Sequence, residues 1–368
     1  MTIPIAAPVR WFEQHQQAVA AAVAGVVSGG QYILGPRVDA FESAFAAFCA
    51  CPHAVAVASG TDAITLGLRV LDVAGGEVIT SAHTAVATVA AIERAGATPV
   101  VADIDPVTHC LCPESVASVL SPRTRAIVAV HIFGHPADLP GLRAVSGARD
   151  IGLVEDCAQA HGARIDGRPV GSFGLAGAFS FYPTKNIGAL GDAGAIVTHD
   201  EHVARQLRQL RQYGWDETRC SQLHGQNSRM DEVQAAILAL RLADFPPAFL
   251  RRQQIAQRYN DALANHPHVL APQTAPGATH AFHLYVVRTA QPEALAAHLL
   301  AQGIQSARHY AAPIHRQPAY RDILRAKSLR NVERLYETML SIPIYPELTD
   351  REVHRICEAL SSWRAGGK

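Results

Sequence analysis

The chain predicts an α/β fold: a large domain around a mostly parallel central sheet, with a smaller α+β domain behind it. Three observations carry this. Seven short segments rich in Val, Ile and Ala alternate with amphipathic stretches through the first two thirds of the sequence. Near-continuous apolar strands between helices belong to a parallel sheet covered on both faces. The alternation stops at Phe245-Pro246-Pro247, and at 368 residues the chain exceeds one ordinary core.

The elements follow from local pattern. An apolar run at 18–27 carries Val19, Val23, Val26 and Val27 at helical spacing and predicts a packed helix. It is too short to cross a bilayer, and His15-Gln16-Gln17 stands where a signal peptide carries positive charge. Strands are expected at 54–58, 77–81, 99–102, 126–131, 153–156, 178–181 and 195–198, with helices at 62–71, 84–95, 113–120, 137–146 and 232–242. Beyond the prolines come a helical pattern to about 265, a Pro/Gly/Thr-rich loop at 266–279, a strand at 282–288 and a helix at 292–302. The expected domains are 1–245 and 246–368.

Composition narrows the function. Lys+Arg and Asp+Glu are equal at 32 each. A zero net charge argues against general attraction to nucleic acid or to an anionic membrane and leaves room for a local basic pocket. Seven cysteines, an odd number in a long chain, point to a reduced, cytoplasmic protein. The Cys49/Cys51 and Cys110/Cys112 pairs lack both the two-residue spacer and a matching histidine pair, so no metal site is assigned. No Gly-x-Ser-x-Gly elbow, Walker loop or His-Glu-x-x-His pattern occurs.

Chemistry concentrates around Lys185. The strand expected at 153–156 ends in Asp156, and the strand at 178–181 leads through Tyr182-Pro183-Thr184 to Lys185. A lysine amine and a carboxylate at neighbouring strand ends suit pyridoxal phosphate, which needs an amine for its Schiff base and an acid to keep its ring nitrogen protonated. Ser59-Gly60-Thr61-Asp62-Ala63 joins a strand to a helix and offers free N–H groups to a phosphate; an ordinary helix cap is the alternative. Gly171, Gly174 and Gly177 precede a strand and do not fit dinucleotide spacing, so they are read as loop chemistry. Asn227-Ser228-Arg229 stands just before a helix and is either a ligand segment or a plain N-cap.

Together these segments resemble the DegT/DnrJ/EryC1/StrS family of sugar aminotransferases. The likeness runs through Gly35–Glu42, Ser59–Ala63, Glu155–Gly162, Phe179–Asn186, Asn227–Ala236 and Ile342–Pro346. The resemblance implies the aspartate-aminotransferase fold, fold type I, and a set of roles. Lys185 would carry the cofactor and move the proton. Asp156 would pair with the ring nitrogen and Gln159 would meet the ring hydroxyl. Gly60, Thr61 and Ser180 would hold the phosphate, Asn227 would reach it from the partner subunit of a homodimer, and His83 would stack on the ring. Two departures, Gly76 in Gly75-Gly76-Glu77-Val78 and Ala193 after Asp192, remove no group the chemistry needs.

The implied reaction moves an amino group from L-glutamate to a nucleotide-linked keto-deoxysugar. The His83–Thr88 stretch and the His309 loop look more like the dTDP-3-keto-6-deoxyhexose group. Arg229, Arg308, His309, Tyr310 and His315 are the expected substrate contacts. The rivals are a 4-keto sugar aminotransferase, a PLP-dependent sugar dehydratase, against which Lys185 argues, and a non-catalytic PLP-binding regulator.

Overall fold

The computed structural model describes residues 2–147, 151–322 and 324–366. The large sheet has eight strands. In chain order these are β1 (His53–Val57), β2 (Glu77–Ser81), β3 (Thr98–Ala102), β4 (Thr124–Val130), β5 (Gly152–Asp156), β6 (Ala176–Ser180), β7 (Gly194–Thr198) and a short late strand, Arg325–Ala326. Across the sheet the order is β1-β7-β6-β5-β4-β2-β3, closed at the β3 edge by the late strand. All pairings are parallel except those of β7, which runs antiparallel to β1 and β6. β1 to β7 are largely buried on both faces, which is why they read as nearly unbroken apolar runs, while the late strand at the edge is exposed.

This topology sets β4, β5 and β6 side by side, with their carboxyl ends on one edge. Ligands of open α/β sheets collect beyond that edge. Asp156 is the last residue of β5 and Ser180 the last of β6, and the two strands are direct neighbours.

The Gly171–Gly177 loop has a structural task. Glu155 is fully buried and accepts the N–H groups of Gly171, Phe173 and Gly174 at 2.6–2.7 Å, and His131 Nε2 stands 3.1 Å from it. A Cβ on Gly177 would lie 2.4 Å from the Gly171 backbone, so only glycine lets the two segments touch.

Beyond the large sheet, helices Glu232–Ala243 and Phe245–Leu263 meet at a 58° bend. The strands Tyr285–Arg288 and Met339–Ile342 pair antiparallel. They pack with helices Phe245–Leu263, Pro292–Ala301 and Asp350–Ser362 into a second core. The two parts exchange segments. Ile3 and Ala7 are buried in the second core, while the Arg325–Ala326 strand and Val332, Leu335 and Tyr336 join the large one.

Two expectations change. The strand expected at 282–288 begins only at Tyr285, because Phe282 takes a left-handed φ of 44°. The apolar N-terminal run is helical over Gln16–Gly29 but is not packed all along one face: Val26 is its only buried residue and Val27 is 62% exposed. Helical spacing alone did not distinguish a face turned to the core from one turned outward. Among the described residues no single helix is long and apolar enough to cross a membrane.

Candidate active site

A cavity of about 460 Å³ opens at the carboxyl edge of the sheet, and Lys185, Asp156, Gln159, Ser180, Gly60 and Thr61 all lie on its wall. Asp156 is 5% exposed. Thr88 Oγ1 donates to its Oδ2 at 2.8 Å, and the Ala158 N–H donates to its Oδ1 at 3.1 Å. Two donors hold the carboxylate in one orientation without neutralising it. The Lys185 backbone N–H donates to Tyr182 O at 2.8 Å, closing a tight turn after β6. Burial lowers the Lys185 amine to about 8, and the Asp156 charge opposes that shift.

The opposite wall is the start of helix Gly60–Arg69. Ser59 caps it by accepting the Asp62 N–H at 3.1 Å. The Gly60 and Thr61 N–H groups precede that capped turn and find no acceptor among the described residues. A Cβ on Gly60 would sit 2.5 Å from Ser180 Cβ, so glycine is what lets the helix start meet the end of β6. Free N–H groups beside the Thr61 and Ser180 hydroxyls form an anion cradle. The donor set matches pyridoxal phosphate: a phosphate cradle, an amine of lowered pKa, and a fixed buried carboxylate on one cavity.

Gln159 is clamped. Its Oε1 accepts the Phe133 N–H at 2.6 Å, and its Nε2 donates to Tyr310 Oη at 2.7 Å. His309 also lines the cavity, with Nδ1 2.9 Å from Ser341 Oγ. Burial, and secondarily Lys185, hold its pKa below the usual imidazole value.

Other expected residues lie elsewhere. His83 is wholly buried, edge-on to Phe133 and Tyr336, with Nδ1 3.2 Å from Tyr336 Oη. It is absent from the cavity wall, whereas Thr84, Ala85, Ala87 and Thr88 are on it. The expectation that His83 stacks on the ring is therefore corrected. The stretch turns at Thr84, so His83 and Ala85 face opposite ways.

Arg308 donates to Tyr336 O at 2.8 Å and pairs with Glu293, while His315 sits 3.3 Å from Glu333. Neither lines the cavity. Each is drawn off by an acid of its own part of the chain. Asn227 is exposed and Arg229 half-buried, both outside the cavity of their own chain. Ser228 between them is buried, donating to Asp62 Oδ2 at 2.7 Å and accepting the Ala58 N–H at 3.2 Å.

His131, Glu155 and Cys157 form a buried group with ligand-type atoms within 4.8 Å of one another. Burial pushes the Glu155 carboxyl up, but His131 and the backbone donors more than offset this and hold it below its usual value. That carboxylate is already committed to the loop. Cys49, Cys51 and Cys110 are buried free thiols whose pKa values burial raises.

Sequence reading missed several wall residues: Thr88, Asn186, His283, Arg241, Arg252 and the N-terminal Ile5–Pro8 segment with Trp11. Thr88 had a signal, being one helical turn from Thr84 in a stretch already singled out. Asn186 had one too, as the neighbour of Lys185 in the Phe179–Asn186 segment; the others come from segments remote from these in sequence.

The DegT/DnrJ/EryC1/StrS aminotransferase family matches residues 13–361. The dTDP-3-amino-3,4,6-trideoxy-alpha-D-glucose transaminase of Streptomyces venezuelae is 42% identical over 354 residues, covering 96% of this chain and 93% of that protein. The erythromycin biosynthesis sensory transduction protein EryC1 of Saccharopolyspora erythraea is 43% identical over 339 residues, covering 92% of this chain and 93% of its own. The crystal structure of S. venezuelae DesV in complex with a ketimine intermediate superposes with a TM-score of 0.96 at 41% identity, covering 99% of this chain and 100% of that one.

Proposed function

The chain belongs to the DegT/DnrJ/EryC1/StrS aminotransferase family, and from that premise we propose that it moves the amino group of L-glutamate onto a nucleotide-linked 3-keto-6-deoxyhexose with pyridoxal 5'-phosphate as cofactor. The observation that carries the reading is the shared cavity of Lys185, Asp156 and the unclaimed N–H groups of Gly60 and Thr61. Bound pyridoxal phosphate supplies a carbonyl for an amine and a protonated ring that withdraws electrons from the reacting carbon.

The chain's residues do the rest. Lys185 Nζ would hold the cofactor. When free, its amine would hold or move the proton at the reacting carbon. With a pKa near 8, about a tenth of the free amine is neutral at pH 7, far more than for an ordinary lysine. Asp156, oriented by Thr88, would keep the ring nitrogen protonated. Gly60, Thr61 and Ser180 would fix the phosphate end, and Gln159, held by Tyr310, would meet the ring edge. Over the two halves L-glutamate becomes 2-oxoglutarate and the keto-sugar becomes an amino-sugar.

Position 3 is favoured by the Streptomyces relative, whose name places the amine there. A homodimer with composite sites is supported by the exposed apolar groups Val27, Tyr32, Ile33 and Tyr213 and by the exposed Asn227. The likeness to a protein named for sensory transduction keeps a regulatory reading in the test. The experiment offers dTDP-3-keto, dTDP-4-keto and UDP-4-keto sugars in parallel with L-glutamate and follows amino-sugar by mass spectrometry. Product from the 3-keto sugar is expected. Product from a 4-keto sugar alone moves the regiochemistry. Water loss without consumption of glutamate means a dehydratase. No turnover of any sugar overturns the reading.

A further inference from the structure

The cations expected to serve the cavity, Arg308 and His315, are tied to acids outside it. Two others, Arg241 and Arg252, lie on its wall. Arg252 is 6% exposed, and its Nη1 donates to Phe282 O at 3.1 Å and to Ile344 O at 2.8 Å. Its other guanidinium nitrogens have no acceptor among the described residues. Arg241 lies with its guanidinium 4.5 Å from the centre of the Trp11 ring, and its buried Nε has no partner.

Neither arginine has a carboxylate within salt-bridge distance among the described residues. Asp244, the acid nearest in sequence, is taken by Trp11 Nε1 at 2.7 Å and faces His15 at 3.8 Å. Glu347, on the same wall, is within electrostatic reach of both and bonded to neither. The two guanidiniums are close enough that Arg241 depresses Arg252, whose pKa burial has already lowered.

A buried and a half-buried cation, with one carboxylate near them that is bonded to neither, leave donors that an anionic ligand would satisfy. Planar guanidinium forks match a carboxylate in two-point contact. Arg252 shares the cavity wall with Lys185.

We propose that Arg241 and Arg252 form the subsite that takes a carboxylate of the amino-acid donor. The inference rests on the aminotransferase reading and deepens it. The same chemistry would also serve the diphosphate of a sugar nucleotide, and the depth of Arg252 favours the smaller carboxylate.

Arg241 is the better probe, because Arg252 also bridges two backbone carbonyls. The holoenzyme of Arg241→Gln is mixed with L-glutamate, and the loss of the cofactor's visible band is followed against glutamate concentration. Half-saturation is expected to rise about 10- to 100-fold, the range of one charge-assisted hydrogen-bonded pair, with the KM for the sugar nucleotide within about threefold. Glutarate, which has no amine, should compete with glutamate in the wild type and weaken in parallel in the variant, and Arg241→Lys should recover part of both. Arg252→Met, compared at matched Tm, should show the same split. Unchanged glutamate and glutarate affinity in Arg241→Gln overturns the subsite. A rise confined to the sugar nucleotide also overturns it, reassigning the pair to the diphosphate. A wild-type enzyme with no glutamate half-reaction overturns the aminotransferase reading, and this inference with it.

Discussion

The Thr88 hydroxyl donates to Asp156 Oδ2 at 2.8 Å, joining the first turn of helix Val86–Arg94 to the end of β5. Thr84 Oγ1 lies 2.8 Å from the same hydroxyl, so a short relay of side chains sets the angle of the carboxylate. Removing the hydroxyl leaves a buried charged oxygen short of a donor, which costs about 1–3 kcal/mol. Thr88→Val should therefore lower Tm and weaken cofactor affinity in a fluorescence titration, and Thr88→Ser should restore both. Equal affinity in all three proteins would remove Thr88 from the site.

Lys185 and Asp156 separate by experiment. Lys185→Ala should form no borohydride-reducible adduct with pyridoxal phosphate. Asp156→Asn should still form one but lose at least about 100-fold in half-reaction rate, since a preorganised charge acting on the transition state is gone. A reducible adduct in Lys185→Ala would show that another amine carries the cofactor.

Cofactor loading should depend on pH. The neutral Lys185 amine is the nucleophile, and its pKa sits near 8. The rate of capture by cofactor-free protein should thus fall about tenfold per unit as pH drops below 8 and level off above it. Stopped-flow absorbance from pH 6 to 9.5 measures this, and a midpoint near 10.5 would contradict the desolvated amine.

Acid should unfold the protein early. Burial lowers His83 and His161 to about 3 and His109 to about 4. A histidine whose folded pKa is depressed stabilises the fold fully above its unfolded value near 6.5. That stability drains as pH falls toward the folded value, because the unfolded chain binds the proton first. Three such groups give a slope of about 4 kcal/mol per pH unit below 6. Urea midpoints at pH 7.5, 6 and 5 should fall steeply over the last step, and less steeply in His109→Gln.

Composite sites predict rescue across subunits. Asn227 is exposed and outside its own cavity. Heterodimers of Lys185→Ala with Asn227→Ala should regain activity, since one hybrid site keeps both residues. No rescue in demonstrated heterodimers would place each site within one chain.

The sequence by itself determined the sheet, because strands buried on both faces must be apolar throughout and so announce themselves. It also set Lys185, Asp156 and the Gly60 segment near strand ends on one edge, since strand ends are local features. Only the tertiary structure decided the rest of the cavity. His83 and Ala85 differ by two positions, yet one is sealed behind the wall and the other forms it, because the turn at Thr84 is set by packing on Phe133 and Tyr336. Arg308 and Arg252 look alike in sequence; Glu293 claims the first, while the second meets only backbone carbonyls and keeps its remaining donors for the cavity. A side chain's partner is chosen by elements that meet in space, and no local spacing encodes which acid reaches which arginine.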